Sequence, residues 1–393
     1  MKSVLKNKNI YVIFSITLIA VMGVASLTPA FPGIAKSLHL SKSQVGLLIS
    51  VFTLPGIVMT PVTGVIADRI GRKKVLVPSL MLFALAGFAC FWFHKFAYLL
   101  MFRFIQGIGA SSLASLNTTL IGDFFKGKGR PAAMGYNASM LSFSTAFYPL
   151  IGGGLAAIAW NYPFLLPLLA LPVGFVVIFI LDEPKIDRTA SLSIYLKSIG
   201  KSIKRKEVIV VFILGILTFI MLYGAYLAYI PFILNQRFNL ESSYIGLVLS
   251  LSSITAAIVA SQVGNLTNKF GNIALLKTAF IIYFAINIII PNIYNFYLFF
   301  IPVLMFGTAQ ALNMPSIQTI VANLAPDNLR GIFMSINGMV LRIGQTIGPL
   351  VISIGYAIGG LEGAYYCAAV VAITGFLLIT FLLDKEKIKP RES

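Results

Sequence analysis

Twelve stretches of this chain keep their apolar character for about 18 residues or more, long enough to cross a bilayer as helices. They fall at roughly 10–35, 43–67, 75–93, 96–125, 131–158, 162–181, 208–235, 242–267, 273–292, 295–323, 330–357 and 361–383. Inside hydrocarbon a backbone must bond to itself, so such runs predict helices and exclude open sheets. Of 393 residues, 58% are hydrophobic and 11% charged. Soluble domains carry about 25% charged residues, so a water-soluble globule is excluded.

The net charge of +18 raises nucleic acid as a partner, and the placement of the cations removes it. With the N-terminus in the cytoplasm, 24 Lys and Arg fall on the inner side. Four fall outside, namely Lys36, Lys42, Lys95 and Arg237, and Arg103 and Arg342 lie within helices. This asymmetry predicts a multi-pass protein of the cell membrane with both termini cytoplasmic. Some of the inner charge would also attract anionic headgroups of the bilayer. The first apolar run is too long for a cleaved leader, and eleven more follow. Cys90 and Cys367 sit inside expected helices, which argues against a disulfide, and His39 and His94 lie far from any carboxylate cluster, so neither a metal nor a cofactor is expected.

Between the second and third runs lies Gly64-Val-Ile-Ala-Asp68-Arg69-Ile-Gly71-Arg72-Lys73-Lys74, a charged elbow spaced by glycines. A weaker copy, Gly264 to Asn272, follows 200 residues later with its glycines in register. The same offset pairs Gly46 with Gly246, Gly107 with Gly307, Arg130 with Arg330, Asn137 with Asn337 and Pro149 with Pro349. The fold class predicted is therefore an all-α membrane protein of twelve transmembrane helices in two six-helix pseudo-symmetric halves. Residues 1–181 and 208–393 form the halves, and 182–207, with a basic run from Lys197 to Lys206, is the cytoplasmic link.

The elbow resembles the loop 2–3 signature of the major facilitator superfamily. Arg103, Gln106, Gly107, Gly109 and Ala110 in the fourth run are similar to that family's second motif. Gly135, Pro149, Gly152 and Gly153 in the fifth run resemble the antiporter motif of twelve-span drug:proton exporters, with Ser144 and Tyr148 where glycines belong. Gly344, Gly348 and Pro349 supply comparable helix-packing spacing in the eleventh run. The resemblance implies a substrate cavity near the midplane and a charge network joining Arg72 to Asp123.

Asp68 ends the second helix, where its own helix dipole disfavours a negative charge. Repeat symmetry offers it the start of the eleventh helix, around Gly331–Ser335, as a contact formed only when the inner mouth is closed. Charges at membrane depth are costly and mark pathways. Arg103 is followed on one helical face by Gln106 and Asn117, and Arg342 by Gln345, so these residues are cavity candidates. The rival reading is that each arginine snorkels or bonds helix carbonyls. Tyr223, Tyr226, Gln310 and Asn313 are weaker candidates for the lining, because aromatic residues more often pack against helices or lipid. Pro29, Pro32 and Pro231 end or bend helices. All twelve carboxylates fall at helix ends or in loops, so no acid is expected at mid-membrane to carry protons.

The resemblance implies a secondary active transporter exporting a small amphiphilic, drug-like compound by alternating access, proton-coupled and working as a monomer. The alternative is an exporter or exchanger of an anionic endogenous metabolite, peptide-like or siderophore-like, with Arg103 and Arg342 binding the anion. An intramembrane enzyme lacks its chemistry here, since no His or carboxylate reaches cavity depth.

Overall fold

The computed structural model describes residues 2–127, 129–183, 205–325 and 330–383. Ten apolar helical spans precede the last: α1 (Lys8–Ser37), α2 (Lys42–Ile70), α3 (Arg72–Trp92), α4 (Phe96–Phe124), α5 (Gly129–Ile158), α6 (Tyr162–Phe179), α7 (Lys206–Phe238), α8 (Ser242–Ala260), α9 (Asn272–Asn292) and α10 (Phe296–Leu324). The final helical stretch, Arg330–Leu382, has 53 residues. At about 1.5 Å per residue it is more than twice the roughly 30 Å that one crossing needs. It breaks at Gly359 and Gly360, the latter at φ 62° and ψ −147°, a conformation a side chain would resist. The two arms, α11 before the break and α12 after it, complete twelve spans among the described residues.

The chain divides into two compact units, Met1–Thr189 with Leu240–Ser250, and Ala190–Asn239 with Leu251–Ser393. The first half of α8 thus groups with the first unit, and close backbone contact is the reason. A Cβ on Gly153 would meet the carbonyl of Ser242, and one on Gly246 the carbonyl of Pro149. Most of the link expected at 182–207, with the run beginning at Lys197, lies outside the described residues.

Several helices are segmented where the sequence demands it. In α1 an α-helix over Lys8–Ala25 passes through a 3-10 turn at Thr28–Ala30 into Phe31–Ser37, with Pro29 and Pro32 at the joints. Ser41 and Gln44 form a reciprocal capping box that starts α2. The middle of α7, Ile220–Tyr229, is a π-helix, followed by Ile230–Phe238 with Pro231 in its first turn. Runs of π-helix are rare and mark functional segments. The eighth span, expected to reach 267, turns at Ser261–Gln262, and a separate helix covers Val263–Phe270.

Candidate functional site

In the first unit the elbow carries a charge network. Gly71 adopts φ 108°, which turns the chain between α2 and α3 without a linker. Arg72, 5% exposed, places Nη1 at 2.5 Å from the Asp68 carboxylate and Nε at 3.0 Å from that of Asp123 at the end of α4. Asp68 therefore has a cationic partner one turn away that offsets its own helix dipole. At the start of α11, where repeat symmetry would dock Asp68, residues 330–332 and Ser335 lie outside those whose side chains are described. Arg69 is exposed. A Cβ on Gly64 or Gly264 would meet nothing within 4 Å among the described residues.

The exit of α6 joins this network. Asp182 accepts hydrogen bonds from Lys8 Nζ at 2.8 Å and Asn9 Nδ2 at 3.0 Å. The bond from Lys8, then that from Asn9, hold its carboxyl below the ordinary 3.8. Glu183, the next residue, accepts the backbone N–H of Arg72 at 2.9 Å.

Arg103 is 1% exposed and bound within the first unit. Its Nε donates to the Leu48 carbonyl at 3.2 Å, Nη1 donates to Gln106 Oε1 at 2.8 Å, and the guanidinium lies 4.1 Å from the Phe52 ring centroid. The carbonyl-bonding alternative thus describes most of this side chain. Nη2 and Gln106 Nε2 remain buried donors without an acceptor. About four turns further along α4, Asn117 Nδ2 donates to Thr17 Oγ1 and, at 3.5 Å, to Asn137 Oδ1, tying α1, α4 and α5 together.

The second unit holds a related arrangement. Thr218 on α7 donates to Asn313 Oδ1 on α10 at 3.1 Å, and Asn337 on α11 is buried. Tyr226 stacks on Phe306 with centroids 3.9 Å apart, and Tyr283 donates to Gln310 Oε1 at 2.7 Å. Arg342 is half-buried and donates to Gln345 at 2.9 Å, and Tyr223 stacks on Phe219 with centroids 5.6 Å apart. Gly344 and Gly348 pack against the backbone of α7 at Ile216 and Ile220, and Gly224 in the π-helix meets the Gly348 carbonyl. Pro349 is buried.

Among the antiporter-type residues, Gly152 fits against the Ser26 backbone and Gly153 against Ser242, and Pro149 is buried beside Gly246. Gly135 is the exception to the packing expectation. It is exposed, and a Cβ there would meet nothing within 4 Å among the described residues. The described carboxylates, Asp68, Asp123, Asp182, Glu183, Glu207, Glu241 and Glu362, all lie at span ends, and no metal-binding cluster exists among the described residues.

The family model of the Major Facilitator Superfamily matches residues 13–293 and 233–393. This chain belongs to the Major Facilitator Superfamily. It is a multi-pass membrane transporter and not an enzyme. Multidrug resistance protein 2 of Bacillus subtilis (strain 168) is 27% identical over 369 residues, covering 92% of this chain and 90% of that protein. The bacillibactin exporter of the same organism is 26% identical over 399 residues, covering 97% of each. The solved structure of a point mutant of the nucleoside transporter NupG superposes with a TM-score of 0.79 at 12% identity, over 96% of this chain and all of that one, and so shares the superfamily fold.

Sequence reasoning named Asp68, Arg72, Asp123, Arg103, Gln106, Asn117, Tyr223, Tyr226, Gln310, Asn313, Arg342 and Gln345, and passed over their partners. Thr17, Phe52, Thr218, Tyr283, Phe306 and Glu183 are uncharged or lie far away in sequence, and only Asn137, in phase with Asn337, carried a signal.

Proposed function

We propose that this superfamily transporter is a secondary active exporter that moves a small amphiphilic compound out of the cell by alternating access, as a proton antiporter. The observation that carries this reading is similarity along nearly the whole chain to proteins named for multidrug resistance and for export. It sits in the plasma membrane with the elbow and both termini cytoplasmic, an orientation that the positive-inside charge distribution supports. It acts as a monomer. Asp68, Arg72 and Asp123 form the inner-mouth network that sets the balance between outward-open and inward-open states, and Asp68 and Asp123 are the carboxylates at hand for proton coupling. Tyr223, Tyr226, Gln310, Asn313, Arg342 and Gln345 contribute the substrate surface of the second unit.

One feature supports a second reading, export of an anionic metabolite. Arg342 is a half-buried guanidinium, and among the described residues no carboxylate lies at span depth to neutralise it. An anion suits such a group, and the first-unit Arg103, already held by Leu48 and Gln106, serves it less well.

Flux into inside-out vesicles with the pH gradient set, reversed and collapsed tests the main reading. Export coupled to protons gives uptake only with the vesicle interior acidic. Uptake indifferent to the gradient refutes antiport, and uptake confined to anionic probes favours the second reading.

A further inference from the structure

The run Arg72-Lys73-Lys74 puts three cations at the start of α3, the end of a helix that repels positive charge, and no acidic residue lies in that first turn. Gly71, the residue before it, offers no side-chain cap. The vacant first amide is bonded from outside: Glu183 Oε1 accepts the N–H of Arg72 at 2.9 Å across 111 residues of chain. The carboxylate sits 2.7 Å from where a Cβ at Gly71 would stand. Gly71 thus both adopts a left-handed turn and leaves room for Glu183 to reach the helix end.

At the offset of 200, Asp68 corresponds to Asn268, Arg72 to Asn272, Asp123 to Asn323, Asp182 to Leu382 and Glu183 to Leu383. The counterparts of Asp68, Arg72 and Asp123 are thus uncharged, while acids again follow the last span, at Asp384 and Glu386, which lie outside the described residues. The elbow glycine persists, since Gly271 has φ 78°, and a Cβ there would meet nothing within 4 Å among the described residues. The glycine serves the turn in both repeats, and in the first the Glu183 carboxylate stands beside the charge network.

We infer that Glu183 is a positioning residue of the inner-mouth network. It caps α3 and holds Arg72 at the angle at which one guanidinium spans Asp68 and Asp123. Asp182, gripping Lys8 and Asn9, anchors the same exit to α1. The exit of α6 is thereby tied to the elbow through Glu183 and to α1 through Asp182. This role rests on the alternating-access reading for its consequence and on the 2.9 Å bond alone for its existence.

The test uses the full-length protein in liposomes, with two readouts on Glu183→Ala and Glu183→Gln. Hydrogen exchange at the Arg72 amide should quicken about five- to tenfold in Glu183→Ala, the factor equivalent to a lost helix cap, and less in Glu183→Gln, which keeps an acceptor. Ethidium efflux should slow in Glu183→Ala with its apparent KM unchanged, and Arg72→Ala should absorb that effect, leaving the double variant no slower than Arg72→Ala. Unchanged Arg72 exchange overturns the proposal whether or not ethidium is a substrate. Fully additive efflux losses overturn it as well, because they would mean Glu183 acts apart from Arg72. If Asp68→Asn alters efflux while Glu183→Ala does not, this inference fails and the transport reading stands.

Discussion

The guanidinium of Arg103 lies 4.1 Å over the ring of Phe52, and Gly107, one turn further along α4, is pressed against the carbonyl of that same phenylalanine. Residue 52 thus meets α4 twice, through its ring and through its backbone. A buried cation with no carboxylate beside it is held by a π face, a helix carbonyl and an amide oxygen. Replacing Phe52 by Leu keeps an apolar side chain and removes the cation–π contact, at an expected cost of about 2 kcal/mol in this desolvated setting. Thermal unfolding in detergent of Phe52→Leu beside Phe52→Tyr, which retains the ring, checks this. Equal melting temperatures for the two would remove the cation–π term.

Glycines in the two repeats separate cleanly by what a methyl group would touch. Gly107→Ala and Gly307→Ala each drive a Cβ into a backbone carbonyl, of Phe52 and Ser252 respectively, and should destabilise by about 1–3 kcal/mol. Gly64→Ala meets open space and should be neutral or stabilising by up to about 1 kcal/mol, because alanine suits a helix better. Melting curves of the three variants decide the matter. A loss of stability for Gly64→Ala matching the other two would contradict the geometry.

Asn117 is a shared node for Thr17 and Asn137. Asn117→Ala strands polar groups that are screened from water, and should cost about 1–3 kcal/mol. Thr17→Val in the same background should add less than it does alone, because the partner has already gone. A double-mutant cycle on unfolding midpoints measures this coupling, and strict additivity would show the three helices to be joined by packing alone.

Arg342 distinguishes the two transport readings. If substrates are anionic, Arg342→Gln should reduce flux of anionic probes at least tenfold, the weight of a lost charge-assisted hydrogen bond, and Arg342→Lys should recover part of it. Flux of a cationic dye should be unaffected or improved. Parallel loss for both probes would assign Arg342 to packing against α7.

Acid should loosen the α1–α6 junction. Asp182 has its carboxyl held below 3.8 by Lys8 and Asn9, so its contribution is fully present above that value. It is lost as pH falls through the lower folded-state value, when the proton displaces the Lys8 contact. Melting temperature should therefore drop more between pH 5 and the acid limit in the wild type than in Asp182→Asn, pH 5 being roughly one unit above the unfolded value. Identical acid profiles would show that the junction contributes nothing.

The sequence by itself determined the twelve spans, the duplicated halves, the elbow and the absence of acids from span interiors. Each of these is a local property, since length, hydropathy and glycine spacing act on one helix at a time and the bilayer enforces them. The tertiary structure alone decided what the polar side chains do. Arg103 looked available for a ligand until Leu48, Gln106 and Phe52, from α2 and α4, were found around it. Gly135 had the spacing of a packing residue, yet a Cβ there would meet nothing within 4 Å among the described residues. Glu183 read as part of a connecting loop and instead caps a helix that begins 111 residues earlier. A helix says which residues share a face, but the partner of that face is set by how distant segments fold together, and that information is spread along the whole chain.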